Sequence, residues 1–213
     1  MAKDIILTHQ EALLVMIITQ TQTLPGIPEL VLEPDTQIGS EARDGLIEKK
    51  LLLMKENGRL GLDARIGDLF LSMRDVSRYL EGDLYESGEF PRHHNIYLVG
   101  DLFILARQEE NGELHLITLP SIQLAVGSIL NCLRQEAEKQ RRGETFRFVM
   151  HGKDKREEYQ YSIKGENRFS VFTSQQTIIG NLAEVVRPLS EQLLQMHIQS
   201  FGGEMCGSAD SDV

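Results

Sequence analysis

Apolar positions follow two periods along this chain, and the switches between them mark out its elements. The run Ala12-Leu13-Leu14-Val15-Met16-Ile17-Ile18 is apolar on nearly every side of a helix, which suits a helix enclosed by protein. Thr8-His9-Gln10-Glu11 before it reads as a capping box, in which a hydroxyl and a carboxylate satisfy amides left open at a helix start. The pattern predicts a helix over residues 9–22. Leu24-Pro25-Gly26-Ile27-Pro28 ends it, because each proline removes a donor and biases its predecessor towards extended geometry. Residues 29–32 read as a short strand. Ser40 opens a second helix with Ile47, Leu51 and Met54 on one side, closed by Asn57-Gly58. Asp63 caps a third, striped by Ile66, Leu69, Phe70, Met73 and Val76. Two helices joined by a short glycine-containing turn resemble a helix-turn-helix or winged-helix layout.

Residues 82–94 form a polar, glycine-bearing loop that carries Tyr85 and Phe90 as expected surface aromatics. Strand signals follow over 95–99, 102–107 and 114–119, with turns at Gly100-Asp101 and Glu110-Asn111-Gly112-Glu113. Pro120-Ser121 starts a helix striped by Ile122, Val126, Ile129, Leu130 and Leu133. The plan then repeats: strands over 145–150, 158–163 and 168–172, and a helix from Thr173-Ser174 striped by Ile178, Leu182, Val185, Leu189 and Leu193, with Pro188 as a possible kink. At a constant shift of 53 positions, Leu116, Leu119, Ser121, Val126, Gly127, Ile129 and Leu133 match Phe169, Phe172, Ser174, Ile179, Gly180, Leu182 and Val186. A mid-helix glycine costs about 1 kcal/mol against alanine, so one in each copy predicts a close helix crossing at Gly127 and Gly180 across a pseudo-two-fold axis. The expected organisation is one domain over 1–198, duplicated at about 95–135 and 145–197, followed by a disordered polar, acidic tail over 199–213.

Composition narrows the function. At 213 residues and 41% hydrophobic, the chain can bury a sizeable core. Its longest apolar run is far shorter than the roughly 20 residues of a membrane helix, and its two cysteines give neither a disulfide framework nor metal-ligand spacing, so a cytoplasmic protein away from membranes is expected. A formal net charge of -10 disfavours a grip on phosphate backbones. The acidity is uneven: residues 1–120 hold 11 Lys+Arg against 20 Asp+Glu, residues 121–213 hold 11 against 12. Arg141, Arg142, Lys153, Lys155 and Arg156 make the second half locally basic.

Candidate chemistry is sparse. His93-His94 is the one histidine cluster, and neighbours on a strand point to opposite faces, so the pair cannot easily share a metal or a substrate proton; it reads as a surface pair. No HExxH, Walker, GxSxG or CxxC spacing occurs, and acidic pairs such as Glu157-Glu158 fall in turns. No catalytic residue, metal or cofactor is expected. Arg65, Arg74 and Arg78 on the third helix are interleaved with acids, which leaves a winged-helix DNA-binding regulator as the alternative. The basic segment, with Arg156 and with Tyr159 and Tyr161 on one strand face, reads as a docking site for an acidic partner helix, and Tyr85, Phe90 and His93 as a second contact surface.

The opening "LTHQEALLVMI", the segment "LLLMKENGRLGLDARIGDLFLSMRD" and the meander "IYLVGDLFILARQEENGELHLITLP" resemble the EspG family of type VII (ESX) secretion-associated chaperones, over the chain up to about residue 198. The resemblance implies a cytosolic, non-enzymatic chaperone with a quasi-symmetric central antiparallel sheet flanked by helices. It also implies a helical secretion substrate as client. A Lys-, Ile- and Gln-containing composition suits a low-GC Gram-positive relative, whose client would be a WXG- or LXG-like helical hairpin bound by a monomer or homodimer. The expected fold is therefore α+β, with two pseudo-two-fold-related meander-helix units and an N-terminal helical portion.

Overall fold

The computed structural model describes residues 4–84, 92–109, 111–138, 145–153, 155–165 and 167–202. The N-terminal part contains β1 (Ile5–Leu7), α1 (His9–Thr19), β2 (Thr23–Leu24), β3 (Ile27–Val31), α2 (Ser40–Glu48), β4 (Leu52–Met54), β5 (Leu60–Leu62) and α3 (Ala64–Arg74). A first meander-helix unit follows: β6 (Tyr79–Leu84), β7 (Arg92–Val99), β8 (Leu102–Gln108), β9 (Leu114–Leu119) and α4 (Ile122–Glu138). The second comprises β10 (Thr145–His151), β11 (Arg156–Gly165), β12 (Arg168–Phe172), β13 (Thr177–Gly180) and α5 (Leu182–Gly202).

Nine strands form one antiparallel sheet in the order β1-β9-β8-β7-β6-β10-β11-β12-β13. From the β6/β10 seam each unit runs outwards as a four-strand meander and ends in a helix, the arrangement a two-fold axis through the seam produces. Gly82 pairs with Phe148 at that seam. A Cβ on Gly82 would lie 2.6 Å from both the Phe148 ring and the His94 carbonyl, so the close approach requires glycine.

The sheet carries two cores. On one face Phe103, Phe146, Phe148, Tyr161 and Val171 close on Ile129 and Leu133 of α4 and on Leu189 and Leu193 of α5. Phe148 and Tyr161 meet edge to face at 5.8 Å, a geometry worth about 0.5–1.5 kcal/mol beyond burial. On the other face Tyr97, Ile104, Ala106, Leu114 and Leu116 are sealed by α1 and α3 through Val15, Met16, Ile66 and Phe70. That second core covers the first unit only.

Several expectations change. The capping box at α1 forms, with Thr8 Oγ1 accepting from the Glu11 amide and Glu11 Oε2 from the Thr8 amide, but the helix stops at Thr19, where Gln20 turns left-handed. The helix expected from Ser40 to Asn57 ends at Glu48; Lys50 takes φ 57, and Leu52–Met54 pairs with Leu60–Leu62 instead. A β-hairpin therefore separates α2 from α3, and no helix-turn-helix forms. Of the loop expected over residues 82–94, residues 82–84 belong to the central strand β6 and 92–94 to β7. Ser174 lies in the turn before a further strand, β13, and α5 begins only at Leu182. The constant 53-residue shift thus matches β9 to β12, whereas topology matches β9 to β13. Gly180 ends a strand, and a Cβ on Gly127 would meet nothing within 4 Å, so the glycine crossing does not exist, although α4 and α5 do lie against each other. Pro188 sits inside α5 without ending it.

Candidate functional site

Odd-numbered residues of β7 face the N-terminal layer and hold its β2–β3 hairpin. The Tyr97 hydroxyl donates to the Pro25 carbonyl at 2.6 Å, and Asn95 Nδ2 donates to the Gly26 carbonyl at 2.8 Å while its Oδ1 accepts from the Gly82 amide at 2.9 Å. Gly26 takes φ +76, and a Cβ there would lie 3.0 Å from Asn95 Nδ2, so both conformation and contact favour glycine. His93 completes the set: its Nε2 lies 3.0 Å from Glu29 Oε2, and its Nδ1 lies 3.3 Å from Asp83 Oδ1. Asp83 also accepts from Arg147 Nε at 3.1 Å, and Glu81 pairs with His151 at 2.8 Å, where His151 stacks on Tyr79. One ionic chain thus joins the N-terminal layer, β6 of the first unit and β10 of the second.

The same row of cross-strand neighbours continues outwards. His93 pairs with Asp83, Asp83 with Arg147, Arg147 with Gln160, Gln160 with Phe172 and Phe172 with Thr177. Beyond Arg147 this face of the sheet has no covering layer among the described residues. Arg156, Glu158, Gln160, Lys164, Arg168 and Phe172 are all exposed there, together with Ile179 on β13. Following the registers outward from the seam, Asn95, Ala106 and Leu116 of the first unit correspond to Gln160, Phe172 and Thr177 of the second. Ala106 is fully buried beneath the N-terminal helices, whereas Phe172 is 59% exposed. Ile179 is 56% exposed and sits diagonally from Phe172, within reach of a shared apolar contact; Lys164 and Arg168 lie beyond Ile179 along the strands, and Glu158 and then Arg156 lie on the other side of Phe172.

Among the residues expected to bind a partner, Arg156 lies on this open face. Tyr159 and Tyr161 do not: they alternate onto the other face, where they are 4% and 0% exposed against the α4/α5 core, and burial holds both phenols above their ordinary pKa. The Tyr159 hydroxyl donates to Glu157. The error was of phase, since alternation from Arg156 puts the even positions outside. His93 and His94 do point to opposite faces, but both are buried rather than at the surface. Tyr85 and Phe90 lie outside the described residues. Sequence reading missed Phe172 as a surface residue because it stands in an apolar strand; its position at the last register before a turn is the signal that it is free of the core.

Two polar clefts, of about 280 and 350 Å³, flank α5 and share Lys155, Glu157, Gln192 and Gln195. No histidine lines either. On α3, Arg65 is bound to Asp63 and Arg74 to Asp75, so neither presents an uncompensated cation to a phosphate backbone. Among the described residues no group of three His, Cys, Asp or Glu side chains is disposed to hold a metal, and no helix is long and apolar enough to cross a membrane. No family model matches the chain, and no curated protein matches it.

Proposed function

We propose that this protein is a non-enzymatic cytoplasmic adaptor or chaperone that holds a helical client, a secretion substrate of a type VII (ESX-like) system, on the open sheet face of its second unit. One observation carries the reading: of two equivalent sheet faces, the first is sealed by α1 and α3 of the chain itself, and the second, beyond β10, has no covering helix among the described residues, with Phe172 projecting from it. A client helix would occupy the second face as α1 and α3 occupy the first. Its chemistry follows from the face, namely an apolar stripe for Phe172 and Ile179 bordered by carboxylates for Arg156, Lys164 and Arg168. A buried aromatic anchor ringed by polar contacts is where binding energy concentrates.

Co-expression with the helical-hairpin secretion substrates of its own host tests this. A client should co-purify with the unsubstituted chain, and Phe172→Asp or Ile179→Asp should reduce retention at least about tenfold, the loss of one anchor contact. Leu194→Asp on α5, also at an exposed position, should leave retention unchanged. Retention indifferent to Phe172 and Ile179 would overturn the assignment.

A further inference from the structure

The β2–β3 hairpin rests on β7 through three side chains, of which Tyr97 and Asn95 make neutral contacts and His93 an ionisable one. His93 is 5% exposed and lies between two carboxylates belonging to different parts of the molecule, Glu29 of the N-terminal layer and Asp83 of the central strand. An imidazolium presents its charge to both carboxylates; a neutral imidazole keeps one N–H, which Nε2 can still direct to Glu29, the one carboxylate to which the ring is hydrogen-bonded, and has no charge for either. We propose that His93 is a protonation-controlled clasp, holding the N-terminal hairpin on the sheet through an ionic bond to Glu29 when charged and only through a weaker neutral one when uncharged.

The surroundings decide which carboxylate the lost charge leaves uncompensated. Asp83 keeps a second cation, because Arg147 of β10 pairs with it, and Arg147 also lies 3.8 Å from Glu81. Glu81 in turn holds His151. Among the described residues the other ionisable group that acts on Glu29 is His9, at the start of α1, whose own burial disfavours the charged form. From β8, Gln108 pairs opposite His93 and is 1% exposed, bringing an amide and no charge. Deprotonation of His93 therefore leaves Asp83 paired with Arg147 and the partly buried Glu29 facing a neutral donor in place of a cation, a state that hydration of an opened hairpin relieves.

Burial by itself lowers an imidazole pKa, but here the Asp83 and Glu29 carboxylates outweigh it and hold His93 above 6.5. The closed form thus binds the proton more tightly than the open form. Opening is at its minimum below about pH 6.5, increases as pH rises, and levels off once His93 has titrated in the closed form.

The test uses the full chain. Imidazole nitrogen NMR should find His93 protonated at both nitrogens at pH 6 and titrating above 6.5. Amide hydrogen exchange in residues 23–31, after division by the intrinsic rate, should increase several-fold in step with that titration, by no more than about tenfold per pH unit. Glu29→Gln and His93→Gln should each flatten the increase. The proposal is overturned if His93 titrates at or below 6.5, if protection of 23–31 does not change with pH, or if the change persists undiminished in His93→Gln. The first two readouts need no substitution, so they decide the matter even where a variant fails to fold.

Discussion

Successive residues of a strand project to opposite faces, and at His93 and His94 the two faces impose opposite acid–base behaviour. His94 lies under α4, 3.4 Å from Ser128 Oγ, where burial and the nearby Arg107 and Arg92 lower its pKa to about 3. In the unfolded chain it regains a value near 6.5, so between these limits the unfolded state binds the extra proton and stability falls as pH falls. His93 has the opposite sign: its raised pKa stabilises the fold below about 6.5, and that contribution is lost as pH rises through its folded value. The pair therefore confines maximal stability to the neighbourhood of pH 6.5. Replacing His94 by Gln should cut the stability difference between pH 7 and pH 5 by about 2 kcal/mol, measurable by urea unfolding at each pH. The opposite-face geometry of this pair was legible in the sequence. Its burial was not, because the groups that make it tolerable, Glu29, Asp83 and Ser128, come from three other elements. Tyr159 and Tyr161 fail for a related reason, since alternation shows that they share a face without showing which face is covered.

At the scale of elements, helix starts with reciprocal side-chain caps were readable, as Thr8/Glu11 illustrates. The start of α5 carried the same signal in Asn181-Leu182-Ala183-Glu184: the Asn181 amide donates to Glu184 Oε2, and the Glu184 amide to Asn181 Oδ1. Ser174 and the apolar run after it drew attention to a helix that begins eight residues later, and β13 was lost inside that misreading. β6 was hidden differently. Its Glu81 and Asp83 are accommodated in a strand by the neighbouring Arg147, by His93 beside Asp83 and by His151 hydrogen-bonded to Glu81, and its Gly82 is tolerated because Phe148 fills the space a side chain would take. Gly82→Ala should accordingly destabilise the fold by about 1–3 kcal/mol, since the added methyl meets a backbone carbonyl as well as a ring. Denaturant unfolding measures this directly, and an alanine variant as stable as the parent would mean that the seam is looser than described.

Across the whole molecule, the duplicated meander builds a symmetric sheet, and the N-terminal layer breaks the symmetry by covering one half. The sequence carried both facts in outline, as a repeated strand-helix plan and an acidic first half with extra helices. The register of the repeat was out of reach, because it depends on strand pairing rather than on spacing along the chain. Unit-for-unit comparison turns the asymmetry into chemistry: where the first unit buries Ala106 and Leu116, the second exposes Phe172 and Thr177 on a face that also carries Arg156, Lys164 and Arg168. A hydrogen-exchange footprint of the protein bound to a helical-hairpin secretion substrate of its own host tests the central claim most directly. Protection should concentrate in residues 156–180 and leave α4 and the N-terminal helices unchanged. Protection confined to α4, α5 or the N-terminal layer, with β11 to β13 exchanging as in the free protein, would contradict it.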